Sequence, residues 1–297
     1  MARTNSRFGD AGPMNVERLR QVGSTHPTVQ QALGLVRAAD PEGQRLLVEG
    51  IWAHEVVLAT GTVIESSWVC PDVMWSGRAR DLAQEVAERA QRAYRVSGRT
   101  LHRLVERDRP DGPVSVVLPR SWLPEDVELP EQALVLVADA LETPGNLGTL
   151  IRTLDGCAAD ALVVTEPRTS LLHPRVFRAS HGTSLTVPSL VFPDTRVAVD
   201  WLHGQGCRVL LAVAAPDAID YRRADWSGAT AVVVGNERYG VSSAWGAYGF
   251  DAVQVPMLGR GDSLNAAVAA SVLSYEARAR KGGGTRWREP APLPADR

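Results

Sequence analysis

Lysine is nearly absent from this chain. Of its 32 basic residues only Lys281 is a lysine, and the rest are arginine. A codon bias in the source would produce that skew. Arginine also suits phosphate, because its planar fork binds two oxygens at once, and the two causes are compatible. Long apolar runs are missing as well. No stretch approaches the ~20 apolar residues of a membrane span, and the opening MARTNSRFGDAGPMNVERL has no apolar core of a secretory leader. The expectation is a cytoplasmic protein without a membrane partner. Cysteine is scarce: Cys70, Cys157 and Cys207 are far apart and odd in number. They form no disulfide framework and offer no metal-ligand spacing, so no metal is expected. Charge of one sign is lacking too. The net charge of −2 gives no broad basic field of the kind that announces nucleic acid.

What is present is ordinary for a globular protein: 297 residues, 44% hydrophobic and 22% charged, enough for one large domain or two smaller ones. Residues 1–14 read as a loose polar arm. Residues 15–120 alternate strand and helix, with RLLVEGIWAHEVVL and GPVSVVLP as clear cases. RARDLAQEVAERAQRA is an amphipathic helix placing Leu82, Val86 and Ala90 on one face. The Pro- and acid-rich stretch 121–132 is the natural linker. Residues 133–281 are more regular. Short apolar strands (ALVLVAD, ALVVTE, SLVF, RVLLAVA, AVVVGNE, AVQVPM) alternate with helices, which implies a parallel sheet covered on both faces. Residues 282–297, GGGTRWREPAPLPADR, have no core to join and read as a disordered tail. The predicted class is α/β in two domains.

Parallel α/β sheets bind ligands beyond the carboxyl ends of their strands, and three loops at such ends stand out. In ETPGNLGTLIRT, Gly145 and Gly148 allow close backbone approach, Asn146 can cap the following helix, and Arg152 lies two turns into it. In AVVVGNERYGVSS, Gly235 admits a ligand against bare backbone, and Asn236 and Glu237 offer an amide and a carboxylate. In VQVPMLGRGDSLNAAVAAS, Pro256 ends a strand and Ser263 or Asn265 caps a long helix, apolar on several sides, that needs a sheet or a second subunit to cover it. GRGDSL lacks the third glycine and the later acid of a dinucleotide fingerprint. His181 beside Ser180 is no triad signal, since triads assemble across a fold.

In their order and strand context, NLGTLIRT, VVVGNERYGVSS and VQVPMLGRGDSLNAAVAASVLSYE resemble the three motifs of the SpoU (TrmH) class of RNA ribose methyltransferases, in the SPOUT superfamily. The match spans roughly residues 130–281, and TLDGCAA departs from a more usual Ala/Phe/Gly-rich stretch. The first domain is similar, more weakly, to the ribosomal-protein-like RNA-binding domain fused ahead of such enzymes. The resemblance implies a deep trefoil knot holding S-adenosylmethionine. Gly235, Asn236, Val255, Met257, Leu258 and Leu264 would form the cofactor pocket. Asn146, Arg152, Glu237, Ser263 and Asn265 would carry the chemistry, with Glu237 orienting Arg152 or Asn146. A homodimer is implied, with RNA reaching the site along a basic face that includes Arg92, Arg95 and Arg99. The expected substrate is 23S ribosomal RNA, with resistance to a ribosome-targeting drug as a consequence and transfer RNA as the alternative. A non-catalytic RNA-binding protein of the same fold and a nucleotide-dependent oxidoreductase are the competing classes. The full set of motif residues argues against the first, and the incomplete fingerprint against the second.

Overall fold

The computed structural model describes residues 16–106 and 111–282. The arm at 1–14 and residues 283–297 of the tail lie outside the described residues. The chain forms two units. One runs to Arg120 and includes Leu172–Pro174; the other holds Ser121–Leu171 and continues from Arg175.

The first unit contains α1 (Pro27–Leu35), β1 (Leu46–Glu49), α2 (Gly50–Thr60), β2 (Val63–Val69), α3 (Gly77–Arg89), β3 (Ala93–Arg95), α4 (Gly98–Arg103) and β4 (Val114–Leu118). Its sheet has the order β1-β4-β2-β3. The β2–β3 pair is parallel, while β4 runs antiparallel to β1 and β2. Ser76 starts α3 by accepting from the Ala79 N–H. The buried face of α3 is Ala79, Leu82, Ala83, Val86 and Ala87; Ala90, expected on it, is the C-cap residue. One polar chain runs through this core. His54 is fully buried, with Nδ1 2.7 Å from the Gly50 carbonyl and Nε2 2.8 Å from the Ser115 hydroxyl. The Ser115 and Ser67 hydroxyls are 2.9 Å apart. Burial drives the imidazole pKa from 6.5 down to about 4, against the opposing hydrogen bond to Gly50.

The second unit contains β5 (Leu134–Asp139), α5 (Pro144–Gly156), β6 (Ala161–Thr165), α6 (Pro174–Ala179), β7 (Ser189–Phe192), α7 (Thr195–Gly204), β8 (Arg208–Ala212), β9 (Ile219–Asp220), β10 (Thr230–Val234), α8 (Ser243–Gly246), β11 (Asp251–Gln254) and α9 (Ala266–Arg280). Its seven strands are all parallel, in the order β7-β6-β5-β10-β8-β11-β9. Alternation along β5 feeds two cores. Leu134, Leu136 and Ala138 pack with α5 and α9 on one face. Val135 and Val137 pack with α7 and Trp245 on the other. The predicted α/β class with a large parallel sheet is what the structure has. Residues 121–132 are packed chain: Val127 is buried in the second of these cores, with Trp122 and Leu129 against it. The two-residue β9 and the single turn α8 carry too little pattern to be read from sequence.

Helices α5 and α9 lie side by side. Asn265 meets Asn146 near their starts, the Thr153 and Ser271 hydroxyls are 2.8 Å apart midway, and Tyr275 reaches Gly156 at the end. Both helices therefore begin at the carboxyl edge of the sheet. Gly148 is required by packing. A Cβ there would stand 2.6 Å from both the Ala179 Cβ and the Val176 carbonyl of α6. Ser180, in the same turn, donates its hydroxyl to the Phe177 carbonyl, which makes it a helix-end residue.

Candidate active site

Adjacent β5 and β10 end at the middle of the sheet, where the chain leaves β5 to one side and β8 lies on the other. After β5 the backbone turns through Ala140 in the left-handed region, φ 53°. Such a conformation is costly for a residue with a Cβ and is held here from both sides. The Ala140 N–H donates to the Thr165 carbonyl at 3.0 Å, and its carbonyl accepts from Asn236 Nδ2 at 2.9 Å. Buried Asp139 accepts from the Thr165 hydroxyl at 3.0 Å and from the Ser242 N–H at 2.8 Å. It thus ties the far end of the second-motif loop to β5. That role was invisible in sequence, because an acid closing a strand reads as a polar turn.

Glu237 is the hub. Its Oε1 accepts from Asn146 Nδ2 at 2.8 Å and from the Thr143 N–H at 3.1 Å, and its Oε2 accepts from the Glu142 N–H at 3.2 Å. Burial raises the carboxyl's pKa, but the hydrogen bonds from Asn146 and from the backbone outweigh it, so the net shift is below the usual value of 4.5. The carboxylate sits at the N-terminus of α5, where the helix dipole also favours negative charge. Asn146 is consequently not the N-cap. Thr143 occupies that position without a side-chain cap bond, Pro144 begins the helix, and Asn146 lies in its first turn. The Asn146 oxygen accepts from Asn265 Nδ2 at 3.1 Å. Asn265 caps α9, its Oδ1 accepting from Ala267 and Val268 N–H groups at 2.9 and 3.3 Å. One chain of bonds, Glu237–Asn146–Asn265, joins the three loops that sequence had singled out.

Beside this chain is a cavity of about 430 Å³. Its floor is the ends of β8, β10 and β11, and its lid is the loop before α9. Val234, Val255, Met257, Leu264 and Ala269 supply apolar walls, and Gly235 to Val241 supply a polar one. Size and lining are those of a small-molecule site. Val213, Val241 and Leu273 also line it and were not foreseen.

Several expected residues stand differently. Leu258 is 97% exposed and outside the cavity lining, because the chain after Pro256 turns its side chain to solvent. Gly235 does face the cavity, but its lack of a side chain serves the protein's own backbone: a Cβ would overlap Gly240 and Val241, which cross directly over it. Asn236 lines the cavity, yet its amide braces its own loop, with Oδ1 accepting from Arg238 and Tyr239 N–H groups at 2.9 and 3.1 Å. Ser263 caps no helix; it lies on the cavity wall with its hydroxyl on Asp262 at 3.2 Å. Arg152 is exposed on α5, has no partner among the described residues, and is not joined to Glu237.

Comparison with known proteins places the chain in a family. Residues 133–275 match the model of the SpoU rRNA Methylase family. An uncharacterised tRNA/rRNA methyltransferase of Synechocystis is 30% identical over 270 residues, which cover 89% of this chain and 90% of the relative. The chain belongs to the SpoU family of RNA methyltransferases. Within the family, the 23S rRNA (guanosine(2553)-2'-O)-methyltransferase RlmP of Bacillus subtilis is 34% identical over 155 residues, 50% of this chain and 62% of that one. The fold is that of the solved SpoU methyltransferase AviRb of Streptomyces viridochromogenes in complex with the cofactor AdoMet. The TM-score is 0.76 at 24% identity, over 87% of this chain and 99% of AviRb. As a SpoU enzyme, the protein needs a methyl donor and an RNA.

Proposed function

We propose that the protein is an S-adenosylmethionine-dependent methyltransferase acting on a ribose 2′-hydroxyl of 23S ribosomal RNA. The observation that carries this is the Glu237–Asn146–Asn265 chain at the mouth of the cavity. The cavity residues fit the cofactor: apolar walls suit an adenine ring, the loop backbone offers hydrogen bonds, and the volume suits a nucleoside with an amino-acid arm. Val234, Val255, Met257 and Leu264 would hold it. A knotted path for the loop after β11, which lines the cavity together with the loop after β10, is part of this reading. When bound, S-adenosylmethionine supplies an activated methyl group with a good leaving group.

The protein's own task is alignment and proton handling. Asn146, fixed at both ends of its amide, offers a defined edge to the ribose. Arg152, free of internal partners, is available to an RNA phosphate or to the developing alkoxide. Guanidinium keeps its protons in proteins, so Arg152 stabilises charge while the proton leaves to phosphate or water. Val268 and Tyr275 of α9 are 48% and 55% exposed, two turns apart on a helix whose Leu273 is buried. They support a homodimer that covers this stripe. The named activities of RlmP favour 23S ribosomal RNA over transfer RNA, and the drug-resistance role rests on that same target. The cytoplasm is the setting such a substrate requires. Transfer of a labelled methyl group to RNA, followed by identification of the modified nucleoside, tests the reading.

A further inference from the structure

The first unit holds one large ring that its own core does not explain. Trp75 is 80% exposed, while Trp68 in the same unit is fully buried. Parallel β2 and β3 pair Val69 with Arg95, so the loops that follow them leave the same edge of the sheet. The loop after β2 is well anchored. Pro71–Val73 forms a 3₁₀ turn, Met74 is buried at 1%, and the next side chain, Trp75, points to solvent. The Val73 methyl would be 3.6 Å from a Cβ on Gly98, so this loop rests on the start of α4, which carries Arg99.

The charges around the ring divide into engaged and free. Arg92 is 3.2 Å from Glu65, and Arg95 is 3.0 Å from Glu17 and 4.0 Å from Asp72. These two members of the expected basic face are therefore occupied within the unit. Arg99, and Arg80 in the first turn of α3, are exposed, and their guanidinium groups make no hydrogen bond or ion pair among the described residues. A protein-binding face would surround a central tryptophan with other apolar groups. Here the exposed residues of its own loop and of the α4 start on which that loop rests are Asp72, Ser76, Gly77, Ser97 and Arg99. A lone rigid ring beside free guanidinium groups fits an unpaired nucleotide, with the base on the ring and the phosphates on the cations.

We propose that Trp75 is a stacking platform for an unpaired base of the RNA substrate and that Arg99, with Arg80, holds the adjoining phosphates. This rests on the RNA-methyltransferase reading and names how that RNA is gripped. The test uses the full chain, deproteinised total RNA and labelled S-adenosylmethionine. Trp75→Ala is expected to raise KM for RNA about tenfold or more and to keep kcat at saturating RNA, while Trp75→Phe recovers most of the loss. Arg99→Ala is expected to reduce the slope of log affinity against log salt by about one, whereas Trp75→Ala leaves that slope unchanged. An unaltered KM in folded Trp75→Ala overturns the proposal. So does a loss seen only with intact ribosomal subunits, which would make the occupant a protein. If the wild-type chain transfers no methyl group, the enzymatic reading fails separately, and filter binding of the same RNA to wild type and Trp75→Ala still decides the platform.

Discussion

Asn146 Nδ2 donates to Glu237 Oε1 at 2.8 Å, across 91 positions of sequence. This bond couples the loop after β10 to the first turn of α5. The same carboxylate accepts the Glu142 and Thr143 N–H groups, so Glu237 does from a distance what a local cap does elsewhere. Glu237→Gln keeps the shape and one acceptor but loses the charge. Methylation is expected to fall by at least tenfold, and stability by about 1 kcal/mol. The carboxyl's pKa lies below 4.5 in the folded chain, so its contribution is present above that value and is lost as pH falls through the lower folded one. Thermal melts between about pH 5 and pH 3 should therefore show an acid-dependent loss in wild type that is smaller in Glu237→Gln. Parallel curves would remove Glu237 from the account.

Gly235 tests the crossing. A Cβ at this position would overlap the Gly240 and Val241 backbone, whereas one at Gly259 would meet nothing within 4 Å. Gly235→Ala is expected to destabilise the chain by about 3 kcal/mol or more, since backbone cannot yield as a side chain can. Gly259→Ala should be nearly neutral. Denaturant melts of the two variants compare them directly, and a neutral Gly235→Ala would mean that the loop does not cross there.

His54 predicts the acid behaviour of the first unit. Its folded pKa of about 4 is below the ordinary 6.5, so the unfolded chain takes the proton first as pH falls. Stability is complete above about pH 6.5, declines by about 1.4 kcal/mol per pH unit below it, and levels near pH 4, a loss of roughly 3 kcal/mol. Hydrogen exchange of the β4 amides should show the decline, and His54→Gln should flatten it. A wild-type profile without slope in this range would mean that the ring is charged or solvated in the folded unit.

The strand–helix order, the parallel sheet and the convergence of three loops were legible because buried parallel strands leave continuous apolar runs and the chemistry gathers at their ends. What was misread depended on non-local partners. Asn146 looked like a cap because its real neighbour, Glu237, is distant in sequence. Gly235 faces the cavity as expected, but the tight turn that brings Gly240 and Val241 over it is set by the folded path of the loop rather than by any one residue. The ion pairs of Arg92 with Glu65 and of Arg95 with Glu17 could not be read from sequence, because the partners are far along the chain. The exposure of Leu258 followed from a loop path that no periodicity encodes.

Arg152 is exposed and unpartnered on α5. Arg152→Ala is expected to lower kcat by about 10²–10³ while cofactor affinity stays within a few-fold. Arg152→Lys should also be severely impaired in single-turnover assays at saturating RNA, because the charge survives but the planar fork does not. Near-wild-type turnover in the Lys variant would show that charge alone suffices. An active Ala variant would remove Arg152 from the chemistry.

The central claim is methyl transfer to ribose at the Asn146–Glu237 mouth of the cavity. Its most direct test incubates protein-free 23S ribosomal RNA with the enzyme and S-adenosylmethionine bearing a deuterated methyl group, then digests the RNA and identifies the labelled nucleoside by mass spectrometry. The account predicts a single 2′-O-methylated nucleoside carrying the label, absent when Asn146 is replaced by Ala. Label on a base, or an undiminished 2′-O-methyl signal in the Asn146 variant, would contradict it.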